Sequence, residues 1–125
     1  MPKNPLILLV DDEVEFLNAI GLGLRTRGFE VMTAENGEQA LAIVKIQCPD
    51  VIIADLRMQP MNGFELYQNI KRMPSMKDTR FFFLTGMKDS LAEKYGLTLG
   101  AEAYFVKPVD LDDLETAIQG TANPD

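Results

Sequence analysis

The sequence predicts an α/β fold in which a parallel five-stranded sheet lies between two layers of helices. Three apolar runs of four or five residues end abruptly in polar residues, and segments with helical periodicity separate them. Each run is continuously apolar rather than alternating, which is typical of strands that are covered on both faces. Strands that alternate with helices along a chain are joined by crossovers, so the sheet is expected to be parallel.

Five strands are predicted, and the most apolar of them are expected at the centre of the sheet. The central strands are predicted at residues 6–10, 51–54 and 81–84. The segments 29–34 and 103–106 are less uniformly apolar, as expected of strands at the edges.

A helix is predicted after each strand, because apolar residues there recur at intervals of three or four. Gly96 interrupts the fourth helix at a cost of about 1 kcal/mol relative to alanine, so that helix is expected to be the softest. Asp110 is predicted to cap the fifth helix. The residues that carry the helical spacing are Phe16, Leu17, Ile20 and Leu24, then Ala40, Leu41 and Val44, then Leu66 and Ile70, then Leu91, Tyr95 and Leu99, and finally Leu111, Leu114 and Ile118.

The alternation of strands and helices predicts a doubly wound sheet with right-handed crossovers. With the second and fifth strands at the edges, the strand order is 2-1-3-4-5 and helices cover both faces. In such sheets ligands bind beyond the carboxyl ends of the strands, near the point where the strand order reverses. Polar residues at those ends are therefore the candidate functional residues.

The size and charge of the chain narrow the classes of function. Its 125 residues, 46% of them hydrophobic, suit one compact domain, and we predict a single domain over residues 1–125. The net charge of −7 argues against direct nucleic-acid binding, since phosphate backbones are bound by clustered Lys and Arg. No apolar run approaches the length of a membrane span, so we predict no membrane contact and a cytoplasmic location.

Histidine is absent from the sequence, and Cys48 is the only cysteine. The chain therefore cannot form an intrachain disulfide, a histidine-based catalytic triad or a histidine-containing zinc site. Any chemistry that it performs must use carboxylates, hydroxyls and lysines.

Such side chains follow four of the five predicted strands. Parallel strands end at one edge of the sheet, so these side chains should converge there. Two carboxylates about 4 Å apart repel by about 4 kcal/mol at an effective dielectric near 20, which a hard divalent cation would relieve. Oxygen ligands without histidine favour Mg²⁺. The converging residues are Asp11, Asp12 and Glu13 after the first strand, Asp55 after the third, Thr85 after the fourth and Lys107 after the fifth.

This set of residues could accept a phosphoryl group. Asp55 would act as the nucleophile on phosphorus, while Lys107 and the Thr85 hydroxyl would stabilise the phosphoryl oxygens. Each residue taken alone also has a structural explanation: a helix cap or dipole partner, a turn residue, a strand end or a solvated charge. Only their joint placement at successive strand ends favours a functional site.

Four short motifs in this order resemble the response regulator receiver family of two-component signalling. The resemblance extends over essentially the whole chain and implies a flavodoxin-like fold. It also implies a phosphorelay switch rather than an enzyme, phosphorylated by a sensor histidine kinase or a phosphotransfer protein. The motifs are Val10-Asp11-Asp12-Glu13, Asp55-Leu56-Arg57-Met58 with Gly63, Leu84-Thr85-Gly86, and Val106-Lys107-Pro108.

The resemblance assigns a role to each residue of the acidic cluster. It implies that Asp55 is the phosphoacceptor and that Mg²⁺ is bound by Asp11, Asp12, Asp55 and the backbone carbonyl of Arg57. The cofactor implied is therefore Mg²⁺ alone.

The resemblance also implies a switch. Lys107 and Thr85 correspond to phosphate contacts, and Tyr104 corresponds to an aromatic residue that turns inward when Thr85 is drawn toward the phosphate. Gly86 would move with Thr85, and Pro108 resembles a proline that follows a cis peptide bond. The last two helices and the fifth strand would change their surface and could bind a homodimer or output partner.

The segment after Asp55 departs from the family pattern. The family often has Met-Pro after the acceptor aspartate, whereas here the proline is Pro60, one residue later. Arg57 adds a bulky cation that we predict to lie at the mouth of the pocket, over the phosphoryl oxygens or paired with Glu13. We hypothesise that Arg57, with Met87 on the other side, lengthens the lifetime of the phosphorylated state.

Three other functions are weighed against this prediction. A flavin or nucleotide binder of the same architecture is disfavoured, because an acidic first loop without a metal would repel the phosphate groups of such ligands. A small Mg²⁺-dependent phosphohydrolase would need a second acid and a substrate cap, for which the chain shows no insertion. A pseudo-receiver that only mediates protein contacts would be expected to have lost some of these residues.

Overall fold

The computed structural model of the protein describes residues 5–86 and 88–120. In that part of the chain five strands alternate with five helices, as predicted, and a short 3-10 helix precedes the fourth strand. The strands are β1 (Leu6–Val10), β2 (Glu30–Ala34), β3 (Val51–Asp55), β4 (Arg80–Thr85) and β5 (Ala103–Val106). The helices are α1 (Val14–Thr26), α2 (Gly37–Ile46), α3 (Gly63–Lys71), α4 (Ser90–Leu99) and α5 (Leu111–Gly120), and the 3-10 helix spans Pro74–Met76.

The five strands form one parallel sheet in the order β2-β1-β3-β4-β5, which confirms the predicted topology. Strands β3 and β4 each continue one residue past the carboxyl end of the predicted apolar run. Asp55 still pairs in register with Leu84, and Thr85 pairs with Val106. The candidate residues Asp55 and Thr85 are therefore held by sheet pairing rather than lying in the loops beyond it.

The core is divided by the sheet into two layers. The side chains of Ile7 and Leu9 pack toward α1 and α5, whereas those of Leu8 and Val10 pack toward α2 and α3. The three adjacent phenylalanines of β4 are almost fully buried and alternate in the same way, with Phe82 on the first side and Phe81 and Phe83 on the second. This burial on both faces is why the central strands are continuously apolar.

Helix α4 packs differently from the arrangement that its apolar spacing indicates. Leu91 is 80% exposed and Tyr95 is 48% exposed, so two of the three residues that predicted the helix face outward. The residue buried against the sheet is Gly96, where a Cβ atom would lie 2.9 Å from Cδ2 of Phe83. Glycine therefore allows α4 to approach the phenylalanine side chains of β4 closely.

The fifth helix begins as predicted. The Asp110 side chain accepts a hydrogen bond of 2.7 Å from the backbone N–H of Asp112, which confirms that Asp110 caps the helix. Leu114 and Ile118 are fully buried against the α1 side of the sheet, while Leu111 is partly buried there.

Among the described residues, no helix is both long enough and apolar enough to cross a membrane.

Candidate functional site

Three carboxylates meet at the carboxyl ends of β1 and β3. Asp11, Asp12 and Asp55 each present one oxygen, and these oxygens lie within 4.8 Å of one another. Asp11 is fully buried and Asp55 is 5% exposed, whereas Asp12 is open to solvent. The convergence predicted from the strand ends is therefore present, with two of the three charges removed from water.

Asp11 is positioned by backbone and side-chain contacts. Its N–H donates to the carbonyl of Ala34 at 3.1 Å, which continues the β1–β2 ladder. Its Oδ1 accepts a hydrogen bond of 2.8 Å from the N–H of Glu13, so one oxygen holds the turn that leads into α1. Its Oδ2 forms an ion pair of 2.7 Å with Lys107 Nζ. One oxygen of Asp11 thus holds the turn into α1, while the other faces Lys107.

Asp55 is positioned by the strand that it ends and by the loop that follows. Its carboxylate accepts a hydrogen bond from the backbone N–H of Arg57. The loop then returns to the strand at Gly63, whose N–H donates to the carbonyl of Leu56 at 2.9 Å. A Cβ atom at Gly63 would lie 2.7 Å from the Asp55 carbonyl oxygen, so the close return of the chain requires glycine.

The acidic cluster makes negative charge unfavourable at its centre. Burial and, to a smaller extent, the nearby Asp11 together raise the pKa of Asp55 from its usual 3.8 to about 6, while Lys107 acts in the opposite direction. Burial also raises the pKa of Asp11 above its usual value, against the lowering effect of Lys107. Oxygen ligands of high negative charge, with one exposed carboxylate at the rim, fit a hard divalent cation such as Mg²⁺.

Lys107 brings a positive charge to the cluster from the end of β5. Its Nζ lies 2.7 Å from Asp11 Oδ2, 2.7 Å from Glu13 Oε1 and 3.8 Å from Asp55 Oδ1. Its backbone N–H donates to the carbonyl of Thr85 at 2.7 Å, which ties it to the end of β4. The peptide bond between Lys107 and Pro108 is cis.

Thr85 and Tyr104 lie beside the cluster on neighbouring strands. Thr85 is 1% exposed at the end of β4. The hydroxyl oxygen of Tyr104 is buried, and this burial raises the pKa of Tyr104, as do the nearby Asp89 and Glu93, while the Thr85 hydroxyl lowers it. The two hydroxyl groups are therefore close together, with Tyr104 turned inward. Gly86 is exposed, and a Cβ atom there would meet nothing within 4 Å.

Arg57 lies at the edge of a surface cavity of about 730 Å³ beside the cluster. Asp12 lines the same cavity, together with Met58 and Phe64 of the third loop and helix and Ala92 of α4. Glu13, the alternative partner proposed for Arg57, is paired with Lys107. Met87, the other residue of the shielding hypothesis, lies outside the described residues.

One contact of the site was missed at the sequence level. The ring centroid of Phe16 lies 4.3 Å from Lys107 Nζ, a cation–π contact with the lysine of the cluster. The spacing of Phe16 and Ile20 predicts only that Phe16 lies on the apolar face of α1. Its position three residues after Glu13 was the available signal, since residues three apart on a helix are neighbours.

Comparisons with known proteins identify relatives over almost the whole chain. The family model of the response regulator receiver domain matches residues 7–119. The transcriptional regulatory protein AfsQ1 of Streptomyces coelicolor is 33% identical over 115 residues, which are 92% of this chain and 50% of the relative. The chain thus spans about half the length of the curated relatives that it matches.

Solved structures resemble the chain to a similar degree. The chemotaxis response regulator CheY4 of Vibrio cholerae is 30% identical with a TM-score of 0.86, covering 94% of this chain and 98% of CheY4. A response regulator receiver domain protein from Clostridium thermocellum is 32% identical with a TM-score of 0.85, covering 92% of this chain and 91% of that protein.

Proposed function

The chain belongs to the response regulator receiver family, and from that premise we propose that it is a phosphorylation switch whose acceptor is Asp55. A receiver domain is a signalling module of two-component systems rather than an enzyme. The proposal covers one receiver domain over residues 1–125, phosphorylated in the cytoplasm by a sensor histidine kinase or a phosphotransfer protein.

One observation carries this proposal. An oxygen of Asp55 lies within 4.8 Å of an oxygen of Asp11 and of Asp12, and Asp55 Oδ1 lies 3.8 Å from Nζ of Lys107. Two buried carboxylates with a third beside them are costly to the folded state, which indicates that the arrangement serves chemistry rather than stability. A pseudo-receiver would have no use for it, so we favour the phosphorylated switch over that alternative.

The proposed reaction is a phosphoryl transfer from nitrogen to oxygen. An Asp55 carboxylate oxygen attacks the phosphorus of a phosphohistidine, the phosphorus–nitrogen bond breaks, and its electron pair returns to the imidazole. Lys107 and the Thr85 hydroxyl would stabilise the phosphoryl oxygens of the product.

The metal required for this transfer would be held by the acidic cluster. Asp11, Asp12, Asp55 and the backbone carbonyl of Arg57 are the proposed ligands. Bound Mg²⁺ would supply positive charge next to the transferred phosphoryl oxygens.

The proposed output is a change in the surface formed by α4, β5 and α5. Thr85 would move toward the phosphoryl group together with Gly86, and the space that Tyr104 fills would change with it. Leu97 and Val106, which are 42% and 38% exposed, offer apolar contacts on this side of the molecule. A second copy of the chain or an output partner would bind there in the phosphorylated state.

Phosphorylation itself tests the proposal. The protein is incubated with Mg²⁺ and either acetyl phosphate or a phosphohistidine protein, and intact mass is recorded. We expect one phosphoryl group per chain, stable in acid and released by hydroxylamine, and no incorporation in Asp55→Asn. The exposed Asp78→Asn is the matched control and should incorporate normally. Unchanged incorporation in Asp55→Asn would contradict the assignment.

A further inference from the structure

Lys107 is held on one side of the acidic cluster, away from the proposed phosphoacceptor. Two carboxylate oxygens, from Asp11 and Glu13, lie 2.7 Å from its Nζ. The nearest oxygen of Asp55 is 3.8 Å away, which is too far for a hydrogen bond. The ammonium group is therefore engaged mainly with residues of the β1–α1 loop.

Phe16 adds a third contact on that same side. Its ring centroid lies 4.3 Å from Nζ, within the range in which an aromatic ring attracts a cation. Glu13 and Phe16 are three residues apart at the start of α1, so their side chains are neighbours at one end of the helix. They converge on Lys107, which is only 13% exposed.

Glu13 also brings a negative charge to the neighbourhood of Asp55. Glu13 Oε1 lies 2.7 Å from Lys107 Nζ, and Asp55 Oδ1 lies 3.8 Å from the same atom, so the two carboxylates are near one another. Like charges at such separations repel. An incoming phosphoryl group must therefore compete with Glu13 for Lys107 and also bear its repulsion.

We propose that Glu13 and Phe16 are positioning residues that hold Lys107 in a resting place and so restrain phosphorylation of Asp55. This inference rests on the proposed role of Asp55 as phosphoacceptor. Both residues, together with Lys107, Ile20 and Val109, line a surface groove of about 470 Å³. Lys107 can therefore be released at the surface without opening the core.

Two variants remove the restraint in different ways. Glu13→Gln removes the charge but keeps the shape of the side chain, and Phe16→Leu removes the ring but keeps an apolar group. The matched control is Glu15→Gln, which makes the same change of charge at an exposed position in the first turn of α1. Thermal unfolding of each variant establishes that it is folded.

The affinity for beryllofluoride, which mimics a phosphoryl group on a carboxylate, measures the restraint. At saturating Mg²⁺ we expect Glu13→Gln to bind beryllofluoride about 1.5-fold to fivefold more tightly than wild type, the range for an exposed ion pair. Phe16→Leu should bind it about twofold to fivefold more tightly, the range for a cation–π contact near the surface. Glu15→Gln should match wild type. Unchanged or weaker beryllofluoride binding by Glu13→Gln overturns the proposal. Weaker binding would mean that Glu13 directs Lys107 toward the phosphoryl group, and unchanged binding would mean that Glu13 does not restrain Lys107.

A metal-free measurement separates failure of this inference from failure of the proposed function. In protein treated with EDTA, the ammonium protons of Lys107 should be protected from exchange with water, as seen in ¹⁵N-edited spectra. This protection should fall in Glu13→Gln and persist in Glu15→Gln. If wild type binds neither phosphoryl group nor beryllofluoride, the role of Asp55 fails whatever the spectra show. If it binds both but the Lys107 signals are equally exposed in wild type and Glu13→Gln, the holding site alone is rejected.

Discussion

Replacing Asp55 by asparagine should stabilise the metal-free protein at neutral pH. Asp55 is 5% exposed, and burial together with Asp11 raises its pKa from the usual 3.8 to about 6. A carboxyl group with a raised pKa favours the folded state when protonated and disfavours it when ionised. Asparagine is neutral at every pH, has nearly the same shape and can still accept the hydrogen bond from the Arg57 N–H.

The size of the effect follows from the pKa of Asp55. A rise from 3.8 to about 6 corresponds to about 3 kcal/mol of unfolding free energy. At low pH Asp55 is protonated in both the folded and the unfolded state, so its raised pKa contributes no penalty. As the pH rises from about 4 to about 6, the unfolded state releases its proton first and the penalty on the folded wild type grows. Above about pH 6 the full difference between the two proteins is present.

Chemical unfolding measures this difference. Wild type and Asp55→Asn are unfolded with urea in the presence of EDTA at about pH 4 and about pH 7.5. We expect similar stabilities at the lower pH and a gain of about 3 kcal/mol in the variant at the higher pH, or about 10 °C in Tm. Added Mg²⁺ should stabilise the wild type and narrow the gap, because binding to the folded state alone raises stability.

Two results would refute the reasoning. One is an Asp55→Asn variant that is no more stable than wild type in EDTA at about pH 7.5. The other is a gain that is equally large at both pH values, since a gain that does not depend on ionisation would come from packing rather than charge.

The remaining predictions concern the metal, the switch and the lifetime of the phosphorylated state. Asp12→Ala should weaken Mg²⁺ binding, measured by calorimetry, more than any other single change. It should also stabilise the metal-free protein, because it removes the repulsion of Asp12 by Asp11 and Asp55. An unaltered urea midpoint of the metal-free variant would argue against this electrostatic explanation. Phosphorylation should shift amide resonances along β5, α4 and α5 through Thr85 and Tyr104; shifts confined to the loops around Asp55 would count against the switch. Arg57→Ala should lose its phosphoryl group several-fold faster than wild type at saturating Mg²⁺, and an equal or slower rate would reject the shielding role.

Local patterns in the sequence are sufficient to predict the sheet and the position of the cluster. Runs such as 6–10 are continuously apolar because both faces of a central strand are covered, and the first polar residue after each run marks the carboxyl edge. The sequence therefore predicts that Asp11, Asp55 and Lys107 lie at one edge of the sheet. Their convergence follows from parallel topology alone.

Local patterns in the sequence do not predict which side of a helix packs against the sheet. Leu91 and Tyr95 predicted α4 correctly, yet they point outward and Gly96 is the residue that packs on Phe83. Spacing reports that a helix is amphipathic but not how closely its axis approaches the sheet. A residue without a side chain carries no apolar signal, although it permits the closest approach.

The sequence by itself therefore determined the fold, the strand order and the residues that meet at the carboxyl edge, because each depends on local periodicity and on the rules of parallel sheets. Only the tertiary structure decided how those residues pair. Glu13 and Lys107 are separated by 94 positions, and their ion pair depends on the lengths and directions of side chains from two different elements. The same holds for Phe16 beneath the lysine ammonium group, and for the burial that raises the pKa of Asp55. Such contacts arise from packing between distant segments, which no pattern within a single segment records.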